Sequence, residues 1–141
     1  MADPSALRLL AEDEADLAVI SAALQDAVAK VGDIAYEARA RRLTIVFNRF
    51  RWEAGQRQRV RSALQLAGVL EMQARRIQRD RRDGVLELLS IGFVATDAPG
   101  GAVTLSFAGG GDLRVVVECV DAVLADISEP WPTPREPAHN G

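Results

Sequence analysis

Apolar residues near the start of the chain recur at helical spacing. An acidic cluster at 12–16 precedes them, and negative charge at a helix N-terminus is favoured by the exposed N–H groups and the helix dipole. Asp13 is suited to cap these groups, because its side-chain oxygen can accept a hydrogen bond from them. The pattern therefore predicts one amphipathic helix over 13–27. Its apolar face consists of Leu17, Ile20, Ala23 and Leu24.

Beyond Gly32 the apolar residues alternate with polar ones, which is typical of β-strands. Together with a short opening strand, the predicted strands lie at 7–11, 33–38, 42–52, 85–94, 103–107 and 113–117. The second and third form one hairpin. The last two form another, because the glycines between them supply the positive φ of a tight turn. The strand at 85–94 is apolar on both faces, so we expect both of its faces to be buried.

Two further stretches fit more than one secondary structure. At 60–77 the alternation around Leu64 and Leu66 favours a strand that bends at Gly68, although a helical spacing is also present. The stretch at 116–127 either prolongs the preceding strand or forms a short C-terminal helix. The predicted fold is α+β and mainly β, with one N-terminal helix on an antiparallel sheet. This sheet is either strongly curved or closed into a small barrel.

Length and composition predict one domain with a tail. The chain has 141 residues, of which 48% are hydrophobic and 26% charged, as in an ordinary globular protein. We expect one globular domain over 1–128. Four prolines follow it, so 129–141 is predicted to be an extended or disordered tail. Trp131 lies between two of these prolines. We expect it to anchor the tail on the domain, and a short linear motif for a partner is the alternative.

Few residues are suited to catalysis or metal binding. The single cysteine, Cys119, excludes an internal disulfide and a cysteine cluster, and we expect it to be buried as a small hydrophobic side chain. The single histidine, His139, lies in the tail, which argues against a catalytic triad. Glu118, Asp121 and Asp126 come nearest to a carboxylate cluster, but their spacing is also typical of a solvated face. We therefore expect a protein that is not an enzyme and has no cofactor or metal site.

The chain shows no features of export or membrane insertion. Its first residues are acidic and lack the basic and apolar regions of a signal peptide. No apolar run approaches the roughly 18 residues that a membrane helix needs. We therefore expect a soluble, cytoplasmic protein that does not contact a membrane.

The net charge of −3 conceals a strong segregation of charge along the chain. Residues 39–82 contain thirteen arginines and three acidic residues, a net charge of +10, whereas the rest has four basic and seventeen acidic residues, a net charge of −13. The arginine-rich hairpin at 39–61 is therefore the candidate binding surface. Its residues are Arg39, Arg41, Arg42, Arg49, Arg51, Trp52, Arg57, Arg59 and Arg61.

Three interpretations of these arginines remain open. They are solvated or paired with acidic residues of the same molecule; they bind an acidic protein partner or a second copy of the chain; or, with the neighbouring aromatic rings, they bind single-stranded nucleic acid or a phosphorylated ligand. An isoelectric point near 5.2 counts against nucleic acid. We expect binding to a protein partner or self-association, with nucleic acid or a phosphorylated ligand as the alternative.

Four segments carry a resemblance that covers nearly the whole chain: residues 17–36, the NRFRWE motif at 48–53, residues 61–64, and the glycine hairpin with its continuation at 107–126. They resemble an alphaproteobacterial family catalogued only as a domain of unknown function. The resemblance implies a small bacterial cytoplasmic protein. It implies no activity, cofactor or site residue.

Overall fold

The computed structural model describes residues 6–134 and 136–137, which form one α-helix and eleven strands. The helix, α1, spans Glu14–Ala23. The strands are β1 (Arg8–Ala11), β2 (Val28–Lys30), β3 (Ile34–Glu37), β4 (Arg42–Phe50), β5 (Gln58–Leu66), β6 (Val69–Arg75), β7 (Val85–Ala95), β8 (Gly101–Phe107), β9 (Asp112–Val117), β10 (Ala122–Asp126) and β11 (Trp131–Pro132).

The strands form one curved antiparallel sheet in the order β1-β10-β5-β4-β2-β7-β8-β9-β6, with β3 beside β4 and β11 beside β5. Strand β7 belongs to both halves of the sheet. Residues 85–87 pair with β2, and the residues from Leu88 onwards pair with β8, with a shift in register between Leu88 and Ser90. The predicted antiparallel, strongly curved sheet with one N-terminal helix is confirmed. The sheet is not closed into a barrel.

The helix begins where the sequence predicts and ends earlier. Asp13 is its N-cap and accepts a hydrogen bond from the backbone N–H of Asp16 at 2.8 Å. After Ala23 the chain turns through Asp26, which has a φ of +61°, and joins the sheet. The backbone N–H of Asp26 then donates to the carbonyl of Leu88. Pairing with β7 thus replaces the last helical turn and creates β2, a strand that the sequence pattern does not predict.

The core lies inside the curve of the sheet, where α1 also packs. Its largest fully buried apolar side chains include Phe47, Phe107, Leu17, Ile20, Leu24, Leu43, Ile45 and Leu64. The expected apolar face of the helix is therefore confirmed for Leu17, Ile20 and Leu24, whereas Ala23 is partly buried against the same core.

The two ambiguous stretches both form strands. Gly68, with a φ of +65°, joins β5 to β6, as expected of a bend that needs a left-handed residue. No C-terminal helix forms in the part of the chain that the structure describes, because the turn at 118–121 is held to this bend. Its backbone donates from Glu118 to the carbonyl of Gly68, and the carbonyl of Asp121 accepts from Ala67.

Two burial predictions are wrong. Val85, Leu89 and Val94 are exposed on β7, because an antiparallel strand at this place has only one face against the core. Cys119 is also exposed, since it lies in the turn at 118–121 rather than in a strand. His139 lies outside the described residues.

The first part of the tail is attached to the sheet. Trp131 and Pro132 pair with Arg59 and Gln58 of β5, so two tail residues form regular structure despite the surrounding prolines. None of the helices formed by the described residues is long and apolar enough to cross a membrane.

Candidate binding surface

The nine residues of the arginine-rich hairpin lie at four places in the fold. Arg39 and Arg41 are in the turn between β3 and β4, and Arg42 begins β4. The connection at 51–57 follows the other end of β4, about 27 Å away at the rise of an extended strand. Arg49, near the end of β4, and Arg51, in the connection, are buried. Arg59 and Arg61 lie on β5. The structure therefore does not bring the nine together.

At the first end, two arginines are paired within the molecule. The Arg41 guanidinium lies 2.6 Å from the Glu118 carboxylate, and that of Arg42 lies 3.0 Å from the Glu37 carboxylate. Both pairs are substantially exposed, and such pairs stabilise a fold by about 0–1 kcal/mol. Internal pairing thus accounts for the charge of these two arginines.

Arg49 is fully buried and lies at the centre of a hydrogen-bonded network. Its guanidinium donates to both oxygens of Asp126 at 3.0 Å and to both oxygens of Glu53 at 2.7 and 3.0 Å. It also donates to Ser62 Oγ at 3.1 Å, and that hydroxyl donates to Asp126 at 2.6 Å. The backbone N–H of Leu7 donates to the same carboxylate at 2.8 Å. The network therefore joins four segments that are distant in sequence.

These contacts keep the carboxylates ionised. Burial alone raises the pKa of Asp126, but the hydrogen bonds from Arg49, Ser62 and Leu7 outweigh it, so its pKa lies below the ordinary value. The hydrogen bond from Arg49 lowers the pKa of Glu53, against a smaller effect of burial. Burial lowers the pKa of Arg49, and its hydrogen bonds to the two carboxylates raise it above the ordinary value. Arg49 therefore acts as a structural cation.

The sequence contains the signal that places Arg49 inside. Leu43, Ile45 and Phe47 alternate along β4 and are all fully buried, and Arg49 continues the same alternation. Phe50 lies on the other face of β4 but is also buried, with its ring 4.6 Å from that of Trp52.

The connection after β4 is held by hydrogen bonds to nearby segments. Arg51 is buried and donates to the side chain of Gln58 at 2.5 Å. Arg57 is exposed and donates to the carbonyl of Pro134, while Thr133 donates to the carbonyl of Arg57. Arg51 and Arg57 therefore hold the 51–57 connection and the tail in place.

Arg59 and Arg61 lie on the outer face of the sheet, away from the core. Residues that pair directly across antiparallel strands share a face. Arg61 pairs with Asn48, and Arg59 pairs with Trp131. A groove of about 430 Å³ lies on this face, and we call it the outer groove. Its lining includes Lys30, Asp33, Val46, Asn48, Arg61 and Trp131.

The outer groove carries positive charge that the described part of the molecule does not neutralise. The side chains of Lys30 and Arg61 form no ion pair with any described residue. Asp33 is the acidic residue in the lining. Leu10 and Ile127 are 61% and 55% exposed, and strand alternation places both on the same outer face. The surface thus combines unpaired cations, an indole ring and exposed aliphatic side chains.

Sequence reasoning missed part of this groove and a second basic region. Lys30 was missed because β2 is formed by pairing with distant strands. The second region, a groove of about 330 Å³, is lined by Arg76, Gln78, Arg81 and Asp83 together with apolar residues. In the sequence, the high density of arginine in 75–82 indicates this second basic region.

The three carboxylates considered for acid–base chemistry do not come together. Asp126 is inside the Arg49 network, Glu118 pairs with Arg41, and Asp121 is exposed. Among residues 6–134 and 136–137, no group of three or more His, Cys, Asp or Glu side chains could hold a metal ion.

Comparison with known proteins gives one match. No curated protein and no solved structure matches the chain. The model of the family described as "Protein of unknown function (DUF2948)" matches residues 7–139, and the chain therefore belongs to the DUF2948 family.

Proposed function

We propose that this protein is a binding domain that holds an acidic segment of a protein partner in the outer groove. The observation that carries the proposal is the pair of cations, Lys30 and Arg61, which line one groove with Trp131 and have no acidic partner among the described residues. Of the nine hairpin residues, Arg59 and Arg61 belong to this surface. A carboxylate entering the groove would meet guanidinium and ammonium donors.

The surroundings of the groove favour protein over nucleic acid. Ile127 exposes aliphatic surface beside the groove, since its backbone N–H donates to the carbonyl of Arg61. Val28, Val46 and Val85 belong to the lining, and apolar surface with a charged rim is typical of protein interfaces. Single-strand binders instead need aromatic rings exposed for stacking, whereas Trp131 is half-buried and pairs with β5. The partner segment we propose therefore carries both acidic and aliphatic side chains on the face that meets the groove.

The proposal places the domain in the bacterial cytoplasm and gives it no catalytic step. Support for the location comes from the resemblance of four segments to a bacterial family and from the composition of the chain. Support for a role without catalysis comes from the separation of the carboxylates, since acid–base chemistry needs two of them in one cleft.

A peptide titration tests the groove. The probe is a fluorescent peptide of about ten residues in which pairs of Asp or Glu residues alternate with pairs of Val or Leu residues, so that each face of the extended peptide carries both kinds. Its binding is measured by fluorescence anisotropy. We expect binding that weakens as salt is raised. The double variant Lys30→Gln, Arg61→Gln should weaken binding by about tenfold or more, because both unpaired cations are lost.

Arg114→Gln provides the matched control. Arg114 is exposed on β9, outside the groove, and forms no ion pair with described residues. This variant should bind the peptide as the wild type does. If the control variant and the groove variant lose peptide affinity equally, the peptide does not bind at a specific site in the groove. Tighter binding of a labelled oligothymidine than of the peptide would favour nucleic acid instead.

A further inference from the structure

Strand β6 forms one end of the sheet and presents an open edge. It pairs with β9 on one side, and no strand among the described residues pairs with its other side. β6 has seven residues, and Leu70 near its start is 51% exposed. At its start the backbone N–H of Val69 donates to the carbonyl of Arg41. The rest of the edge exposes backbone donors and acceptors that can pair with another strand.

The side chains of β6 are divided between the two faces of the sheet. Met72 and Ala74 face inwards and pack on the core. Glu71, Gln73 and Arg75 alternate with them and are exposed. The outward row therefore reads acidic, neutral, basic over alternate residues.

This row restricts how two copies of β6 can pair antiparallel about a twofold axis. Such an axis keeps each residue on its own face, so the pairing must be centred on a single residue. Centring on Glu71 places two carboxylates opposite each other, and centring on Arg75 places two guanidinium groups opposite each other. Both arrangements are destabilised by like charges.

Centring on Met72 or Ala74 places Gln73 opposite Glu71 or Arg75 and forms no ion pair. Only centring on Gln73 brings the opposite charges of the two copies together. Glu71 then lies opposite Arg75 of the second copy, and Arg75 lies opposite Glu71 of the second copy. Met72 lies opposite Ala74 on the inner face, which extends the apolar side of the sheet. Arg75 already bonds Asp112 in its own chain, at 2.7 and 3.1 Å, and its remaining guanidinium donors can reach a second carboxylate.

We infer that this protein self-associates through the β6 edge, with two copies pairing antiparallel about Gln73. The second copy is the occupant that the charge pattern fits, because one strand supplies both halves of each opposite-charge pair. This interface is separate from the outer groove, which lies on the face of β2, β4 and β5.

Disulfide trapping tests the register directly. In a Cys119→Ser background, Gln73→Cys places two sulfhydryl groups opposite each other at a separation that a disulfide spans. We expect a crosslinked dimer on mild oxidation. Glu71→Cys in the same background should not crosslink, because four residues separate its copies along the strand, about 14 Å. If the Glu71→Cys variant crosslinks and the Gln73→Cys variant does not, the proposed register is wrong.

Sedimentation equilibrium from about 10 μM to about 1 mM tests the charge pairing. Glu71→Arg should weaken the dimer by about tenfold or more. Glu71→Arg, Arg75→Glu should restore it, because the opposite charges are exchanged. Glu87→Arg makes the same charge change on β7, away from the edge, and should leave the dimer intact.

The outcomes separate this inference from the proposed function. A wild-type protein that is monomeric throughout this range overturns the inference, as does a dimer that Glu71→Arg leaves unchanged. The groove variant Lys30→Gln, Arg61→Gln should still dimerise, and Glu71→Arg should still bind the acidic peptide. Circular dichroism of each variant checks that it is folded.

Discussion

Replacing Arg49 with methionine should be among the most damaging single changes to this fold. Methionine fills much of the same volume but removes the charge and all donors. Asp126, whose side chain is 2% exposed, then keeps its hydrogen bonds from Ser62 and Leu7 but loses its cation. Glu53 is 40% exposed and can turn to water. The damage therefore comes from one buried, uncompensated carboxylate.

Removing one partner of a buried ion pair costs about 3–5 kcal/mol. Urea unfolding followed by circular dichroism and tryptophan fluorescence measures this cost, and Trp52 lies in the connection that the network holds. With a urea dependence of roughly 1–3 kcal/mol per molar, the midpoint should fall by about 2 M. The matched control is Arg41→Met, since that arginine belongs to an exposed pair. It should change the free energy of unfolding by less than about 1 kcal/mol.

A double variant separates lost charge from lost packing. In Arg49→Met, Asp126→Asn the uncompensated carboxylate is gone. The amide oxygen can accept from the backbone N–H of Leu7, while the amide NH2 can donate to the Ser62 hydroxyl. The double variant should therefore be more stable than Arg49→Met alone, by about 1–3 kcal/mol. If Arg49→Met costs no more than Arg41→Met, or if Asp126→Asn adds a further loss, the network does not stabilise the fold in the way we describe.

Three other predictions concern acid pH, a closely packed glycine and the tail. The pKa values of Asp126 and Glu53 are lowered in the fold, from 3.8 and 4.5. Their stabilisation is therefore complete above about pH 5 and is lost as pH falls below 4.5 through the folded pKa values; urea midpoints that stay level from pH 5 to pH 3 would contradict this. Gly101→Ala should destabilise the fold by about 1–3 kcal/mol, because its Cβ would collide with the backbone carbonyl of Val94; an unchanged midpoint in urea would refute it. Trp131→Ala should lower the free energy of unfolding by about 1–2 kcal/mol, because buried apolar surface is lost, and should speed amide hydrogen exchange over 128–134. Unchanged exchange rates there would show that the ring does not anchor the tail.

Local sequence pattern was sufficient for most strands of this fold, and its failures have identifiable causes. The alternation at 42–52 and 103–117 predicts β4, β8 and β9, and Gly68 marks the bend between β5 and β6. The end of α1 could not be predicted, because the hydrogen bond from the Asp26 N–H to the carbonyl of Leu88 decides it. Only the folded sheet brings these two residues together.

The candidate site was less predictable than the fold, for two physical reasons. The burial of Arg49 follows from the alternation of Leu43, Ile45 and Phe47. Extending that alternation by one step predicts that Arg49 faces the core and does not belong to the binding surface. The outer groove could not be predicted in this way. It requires Lys30 on β2 and Trp131 on β11, two short strands that exist only because distant residues pair with them.

The segregation of charge along the chain is partly offset by the topology of the sheet. Strand β5 pairs with β10 and β6 pairs with β9, so the basic middle of the chain lies beside its acidic C-terminal part. Arg49 reaches Asp126, 77 residues away, and Arg75 reaches Asp112, 37 residues away. These pairs turn the opposing charges into contacts that fix strand order. The charged side chains available to bind a partner are then those that form no ion pair within the molecule. On the outer face this remainder includes Lys30, Arg59 and Arg61, of which Lys30 and Arg61 line the groove. For that reason the groove, rather than the most arginine-rich segment, is the proposed binding site.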